Sequence, residues 1–512
     1  MTSVNLRALR VAVLCALLLV PTAAALGLGG ATLPTVPTPT HTGSDAAPTP
    51  ATQANALDPL VGSAPAAPAA PDATPPLAPP VAVAMGDEYI VGFSTTFPVL
   101  TIKALGMEVA AVYPDAGFAI VKTARPDILQ ALAGPLGFNY VERNGITSLD
   151  SARWDSAQWD SARWDAAQWD SARWDSATWD SASWDSASWD SARWDAARWD
   201  SARWDASRWD GASADPGFGA EWHLGAIHAL DAWNVTTAYH AITICVVDSG
   251  IDYTHPDISA NMKRLSNGKF GYNFVANTND PMDDGGHGTY MAGIAAATMG
   301  NGHGVAGVSQ AYVTAAKVLG ADGSGTEANL ALGIRWCVDS GGAKIIMLAL
   351  HTEGDNTGVH DAVKYAKSKG ALLVAAAGND GQVCDTCVAY PAAYNEALGI
   401  GALATDGTRA GFSNGGKEVS FMAPGVQIPG PFPGNKYVVG SGTSQATAIA
   451  AGAAALTWAA KPSMNADNVR DALTKSAKDA GAPGFDNEYG NGLLRLDRAF
   501  ARMGLGGGDH NS

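Results

Sequence analysis

Ala241-Ile242-Thr243-Ile244-Cys245-Val246-Val247-Asp248-Ser249-Gly250 is the stretch that decides the fold. Its first seven residues are apolar or β-branched without alternation, the pattern of a parallel strand covered on both faces, and Ser249-Gly250 then turns the chain. An Asp at the carboxyl end of such a strand stands where open α/β sheets gather their ligands. Two later segments carry groups that complement it. Gly286-His287-Gly288-Thr289 precedes the helical run Met291 to Ala297, so His287 opens a helix with its ring toward the sheet edge. Gly442-Thr443-Ser444 precedes Ala446 to Leu456, a run of Ala, Gly, Ile and Thr that a helix can bury on all sides. The free amides at the start of that helix would face an oxygen on which negative charge develops.

An acid, an imidazole and a hydroxyl form one chemical unit. A Ser hydroxyl is a poor nucleophile at neutral pH until a base takes its proton, and the base needs a carboxylate to hold its ring and tautomer. A fourth segment supports the same chemistry. Ala371 to Ala377 reads as another buried strand, ending in Gly378-Asn379-Asp380-Gly381, and the Asn379 side chain can donate an N–H to a tetrahedral oxyanion.

Taken together, these segments resemble the subtilisin-like serine proteases, over about residues 212 to 500. The family patterns D-[ST]-G, H-G-T-H-x-A-G and G-T-S-x-A are matched by Asp248-Ser249-Gly250, His287 to Gly293 and Gly442 to Ala446. The chain order Asp, His, Ser is also that of the family. The resemblance implies an α/β fold with a parallel sheet flanked by helices. It also implies Asp248 as orienting acid, His287 as general base, Ser444 as nucleophile and Asn379 as oxyanion donor. Gly323-Ser324-Gly325 and Leu348-Ala349-Leu350 are then expected to be edge strands that hold a polypeptide substrate extended. Three positions depart from the pattern: Tyr290 replaces the second His, Ala448-Ile449 replaces Pro-His, and Ala349-Leu350-His351-Thr352 replaces Ser-Leu-Gly-Gly. His351 therefore stands where a glycine usually leaves space. The alternatives are an inactive scaffold of the same fold and a cell-envelope adhesion protein.

The chain of 512 residues exceeds one ordinary core, and its composition changes sharply along its length. A net charge of −17 argues against nucleic acid as a partner. A monomer is the default expectation. Residues 1–25 have the three-part layout of a secretory signal: Arg7 and Arg10, the apolar run Val11 to Val20, then Pro21-Thr22-Ala23-Ala24-Ala25. The chain is thus expected outside the cell, with an uncleaved surface anchor as the alternative. Residues 26–81 are rich in Ala, Pro and Thr and read as an extended linker.

Within the expected 82–149 domain, strand patterns fall at Tyr89 to Phe93, Glu108 to Tyr113, Phe118 to Thr123 and Phe138 to Glu142. Helical patterns fall near Val99 to Ala104 and over Pro126 to Ala133, giving a ferredoxin-like β-α-β-β-α-β order. The segment resembles the family's inhibitory propeptide, which implies that its tail occupies the active site as an intramolecular inhibitor. Residues 150–211 follow as a pentapeptide repeat in which twelve Trp recur from Trp154 to Trp209, each followed by Asp. Five residues advance about 500° on a helix and alternate faces on a strand, so neither element gathers the Trp on one side. A flexible aromatic spacer and a pentapeptide solenoid are the two readings left. Either would permit contact with the cell envelope. The catalytic domain is expected over 212–503, before a Gly-rich tail at 504–512.

Cys384 and Cys387 form C-x-x-C just after Asn379, which in a secreted chain reads first as a disulfide and second as half of a zinc site. Cys245 and Cys337 lie in apolar runs and read as ordinary core residues. A structural Ca²⁺ is implied by the family resemblance at Asp257 and the turn containing Asn301, with Asp215 as a further ligand.

Overall fold

The computed structural model describes residues 88–149 and 214–505, and 153–160 by their backbone. The signal expected at 1–25, the linker at 26–81, the repeat beyond residue 160 and the tail after residue 505 lie outside the described residues.

An N-terminal α+β unit comes first. Strands β1 (Glu88–Phe93), β2 (Glu108–Tyr113), β3 (Phe118–Lys122) and β4 (Phe138–Arg143) form an antiparallel sheet in the order β2-β3-β1-β4. Short helices at Val99–Ala104, Pro126–Ala131 and Ala133–Leu136 interrupt them. Ile102, Leu129, Val91 and Val121 are fully buried in a core of the unit's own. The expected element order is therefore found.

After β5 (Ile146–Ser148) and β6 (Arg153–Asp160) comes the main sheet. It contains β7 (Thr243–Asp248), β8 (Gly271–Asn273), β9 (Tyr312–Lys317), β11 (Ile345–Leu348), β13 (Leu372–Ala376), β14 (Ala397–Leu403) and β15 (Val419–Pro424). The order is β15-β14-β13-β11-β7-β9-β8, and every neighbouring pair is parallel. Smaller strands are β10 (Ser324–Thr326), β12 (His351–Thr352), β16 (Ile428–Phe432) and β17 (Lys436–Ser441).

Both faces of the main sheet are covered, which is why its strands read as continuous apolar runs. Along β7, Ile244 and Val246 point to one side, where α1 (His287–Ala296) and α4 (Thr443–Ala460) pack. Cys245 and Val247 point to the other, against α2 (Glu327–Asp339) and α3 (Thr357–Ser368). Helix α4 is buried from Thr443 to Trp458, as its Ala-rich composition requires. Ile90 and Phe118 of the N-terminal unit join the α2 and α3 face, so that unit sits on the two helices.

Two sequence expectations are corrected here. Cys245 and Cys337 are buried core residues as expected, but they are also joined to each other, with Cα atoms 5.8 Å apart. Packing α2 across β7 brings together thiols 92 residues apart, within ordinary disulfide reach. Residues Arg153–Asp160 of the repeat form a strand against β17 rather than a spacer. Pairing of this kind uses backbone groups, so it does not require the Trp to share a face. Cys384 and Cys387 are bonded as the first reading had it. No helix among the described residues is long and apolar enough to cross a membrane.

Candidate active site

Strands β7 and β13, with β11 between them, carry Asp248 and Asn379 at or just beyond their carboxyl ends, while His287 and Ser444 lie in the first turns of α1 and α4. Asp248 is the last residue of β7 and is buried, as is His287 at the first position of α1. The Asp248 carboxylate receives His287 Nδ1 at 2.8 Å (Oδ2) and 2.9 Å (Oδ1) and the Ser249 amide at 2.7 Å. This contact fixes the ring and favours a proton on Nδ1, leaving Nε2 as the basic nitrogen.

A local network that the sequence reading missed holds His287 against Asp248. Asp283 Oδ1 accepts from Ser249 Oγ (2.8 Å), Gly285 N (3.0 Å) and Gly286 N (2.8 Å), and its Oδ2 accepts from Thr289 N (2.9 Å) and Thr289 Oγ1 (2.5 Å). Asp283 thus satisfies amides at the start of α1 while tying them to the turn after β7. Ser249 Oγ accepts from Gly288 N at 3.0 Å and closes the circuit. Gly288 allows the approach, since a Cβ there would lie 2.0 Å from the Gly250 carbonyl oxygen. Lys317, buried at the end of β9, donates to the Ser249 and Leu319 carbonyls and to Asp284. The available signal was Asp283-Asp284-Gly285-Gly286 directly before His287, a cluster suited to a helix start.

Ser444 is buried in the first turn of α4, and its Oγ donates to the Ala349 carbonyl at 3.3 Å, just beyond the end of β11. Asn379 follows β13. Its Oδ1 accepts from Thr443 N and Thr443 Oγ1, both at 2.9 Å, so the amide is pinned by the residue before Ser444. Its Nδ2 is buried with no hydrogen-bond partner among the described residues. Such an orphaned donor, held by the residue next to Ser444, is expected of a group reserved for a charge that appears only during reaction.

The cleft beside these groups is filled by the chain itself. Strand β5 lies antiparallel between β10 and β12, pairing Ser324, Gly325 and Thr326 with Ser148, Thr147 and Ile146 on one side. On the other side His351 and Thr352 pair with Ser148 and Thr147. Leu149 N donates to the Gly323 carbonyl at 3.0 Å. Gly323, Ser324 and Gly325 therefore flank this strand on one side. The second wall needs correction: Leu348 closes β11 inside the parallel sheet, Ala349 and Leu350 are buried behind it, and the edge is made by His351 and Thr352. His351 also touches the clamped strand, its Nε2 standing 3.3 Å from Ser148 Oγ. Tyr290 is fully buried and donates its hydroxyl to the Ile428 carbonyl.

Upstream of β5, the N-terminal unit caps both helices beneath it. The Glu142 carboxylate accepts from Thr357 N (2.8 Å) and the Thr357 hydroxyl at the start of α3, and Asn144 Oδ1 accepts from Ala328 N (3.1 Å) in α2. Glu327 Oε2 accepts from Gly145 N (3.0 Å) and Asn356 Nδ2 (2.8 Å), and burial pushes its carboxyl up to about 7.

Asp257 and Asn301 come together, with Asn301 Nδ2 donating to Asp257 Oδ1 at 2.8 Å and Val305 N to Oδ2 at 3.0 Å. Asp215 accepts from Gly300 N (2.6 Å) and Gly302 N (3.0 Å) of the same loop. Burial raises Asp215 to about 6 and Asp257 to about 7. Among the described residues no group of three or more His, Cys, Asp or Glu is arranged for a metal. Both carboxylates are met by N–H donors, and Asn301 turns its donor rather than its oxygen toward Asp257. In this arrangement the set does not fit Ca²⁺, which takes six to eight oxygens.

Comparison with known proteins follows the same lines. Residues 240–492 match the model of the subtilase family. The chain is 39% identical over 260 residues to the thermophilic serine proteinase of Bacillus sp. (strain AK1), covering 51% of this chain and 62% of that protein. It is 38% identical over 276 residues to the minor extracellular protease Epr of Bacillus subtilis (strain 168), covering 54% of this chain and 41% of that one. It is 36% identical over 279 residues to subtilisin BL of Lederbergia lenta, covering 54% of this chain and 97% of the relative. The first two relatives are thus matched over less than two thirds of their length.

Proposed function

The chain belongs to the subtilase family, and on that premise we propose that it is a secreted serine endopeptidase made as a zymogen. The observation that carries the reading is the conjunction of a buried Asp248–His287 pair, a hydroxyl at the start of α4, and an unpaired amide donor whose side chain is held by Thr443, the residue before that hydroxyl.

A peptide enters as β5 does, extended between β10 and β12. His287 Nε2 takes the Ser444 proton as Oγ attacks the scissile carbonyl, and the oxyanion is received by Asn379 Nδ2 and the Ser444 amide. Asp248 stabilises the imidazolium without accepting its proton. His287 then protonates the leaving amine, and a water activated by the same ring releases the acyl group from Ser444. Segment 82–149 acts as the inhibitory propeptide: β5 occupies the cleft, and Glu142, Asn144 and the Gly145 amide engage the helices below. No step passes through Ca²⁺.

The test combines labelling with mass. A fluorophosphonate should add once to the wild-type protein and not to Ser444→Ala, and wild type alone should convert to a lighter species cut near residue 150. An unlabelled protein that keeps its mass after signal removal would identify an inactive scaffold or an adhesion protein.

A further inference from the structure

We propose that β17 is a docking edge for extended polypeptide on the leaving-amine side of the scissile bond, and that Arg153–Asp160 of the repeat is its resident occupant. β17 forms a hairpin with β16, and its opposite edge is taken by β6 in antiparallel register. Ser441 faces Arg153, Gly440 faces Trp154, Val439 faces Asp155, Tyr437 faces Trp159 and Lys436 faces Asp160. β17 runs toward Ser444 and ends three residues before it, so β6 runs away from the hydroxyl. On the acyl side the chain is fixed up to Leu149, which donates to Gly323. Leu149 and Arg153 are four residues apart, at most about 14 Å of chain. Hydrolysis between them leaves both new ends hydrogen-bonded: the acyl-side end to β10 and β12, the amine-side end to β17.

The repeat suits this edge because of its period. Trp154-Asp155 and Trp159-Asp160 are five residues apart but meet positions of β17 only three apart, and the pairing shifts register between Tyr437 and Val439 to absorb the difference. The occupant is tethered to the same chain as the edge it covers, so it competes there at high effective concentration. Strand addition draws its affinity from backbone hydrogen bonds, so the occupant competes with the leaving-side residues of any other peptide and not with groups on the acyl side.

The proposal rests on Ser444 being the nucleophile, and the experiment keeps the two questions apart. Hydrogen exchange of residues 436–441 is measured in full-length Ser444→Ala with and without Trp159→Pro, which removes one N–H from β6 at a distance from the cleavage junction. The active self-cleaved enzyme and its Trp159→Pro form are then assayed on a peptide with at least four residues beyond the cut and on a peptide anilide with none. Exchange should rise at least tenfold and KM for the long peptide should fall at least threefold, while kcat/KM for the anilide stays within twofold. Trp159→Ala, which keeps the N–H, should match wild type in all three. Unchanged exchange or KM in Trp159→Pro, or the same change in Trp159→Ala, would overturn the proposal. Anilide hydrolysis surviving Ser444→Ala would instead overturn the nucleophile, and the exchange result would still stand.

Discussion

Removing the Cys245–Cys337 bond should cost far more stability than removing Cys384–Cys387. The bond closes a loop with a sequence separation of 92. Chain-entropy arguments put the constraint on the unfolded state at about 4.6 kcal/mol at 25 °C. The Cys384–Cys387 bond, with a separation of 3, gives about 1.6 kcal/mol on the same relation. Both sulfurs of the long bond are also fully buried, between β7 and α2. Replacing the pair by Ala opens two small cavities at ~1 kcal/mol each, for a total of about 6.6 kcal/mol, a large part of the 5–15 kcal/mol that holds most domains folded. Urea unfolding in a Ser444→Ala background, where self-digestion is removed, measures it. Comparing Cys245→Ala/Cys337→Ala with Cys384→Ala/Cys387→Ala before and after reduction in denaturant separates the cross-link from the cavities, since in the latter protein reduction opens only the long bond and keeps its sulfurs. A loss below about 2 kcal/mol in both arms, or equal losses for the two bonds, would refute the reasoning.

Asp248→Asn keeps the shape of the pair but presents His287 with the wrong tautomer. Expect kcat to fall about ten-thousand-fold with KM little changed in steady-state hydrolysis of a peptide anilide. Gly288→Ala drives a Cβ to 2.0 Å from the Gly250 carbonyl, a backbone clash that cannot rotate away; the variant should yield little soluble protein or lose at least a hundredfold in kcat. Glu327, raised to about 7 by burial even though the Gly145 amide bond pulls it down, links pH to release of the N-terminal unit in the proposed zymogen. A raised carboxyl favours the assembled state fully below its usual range near 4.5 and loses that contribution as pH rises through about 7. Size-exclusion of the cleaved protein should therefore show increasing separation of the N-terminal unit from pH 5 to pH 8, and Glu327→Gln should flatten the trend.

The parts of the site legible in the sequence are those where one short segment carries both the group and its placement. Asp248 ends an apolar strand, His287 and Ser444 open helices, and Asn379 follows a strand, so each motif implied its own position at the carboxyl edge of the sheet. What escaped depends on contacts between distant segments. Cys245 and Cys337 look like core residues because they are core residues; only the packing of α2 on β7 makes them partners. The second cleft wall was set too early in the chain because Leu348-Ala349-Leu350 continues an apolar run, whereas an edge that accepts a guest strand must emerge from the core, as His351 and Thr352 do. Asp283 escaped because hydrogen bonds from five donors are invisible in a four-residue polar cluster. The strand at Arg153–Asp160 escaped because side-chain periodicity says nothing about an edge that binds backbone.

Once β5 departs, β10 and β12 are left as two parted rims with ladder donors and acceptors facing a gap one strand wide. Under the proposed function, such a slot would test whether a visiting chain has its own amides and carbonyls free. A folded protein, whose backbone is already engaged, presents nothing to insert, while a frayed terminus or a denatured polypeptide does. The enzyme would then discriminate among proteins first by their state of repair, and only afterwards by the identity of the residues at the cut.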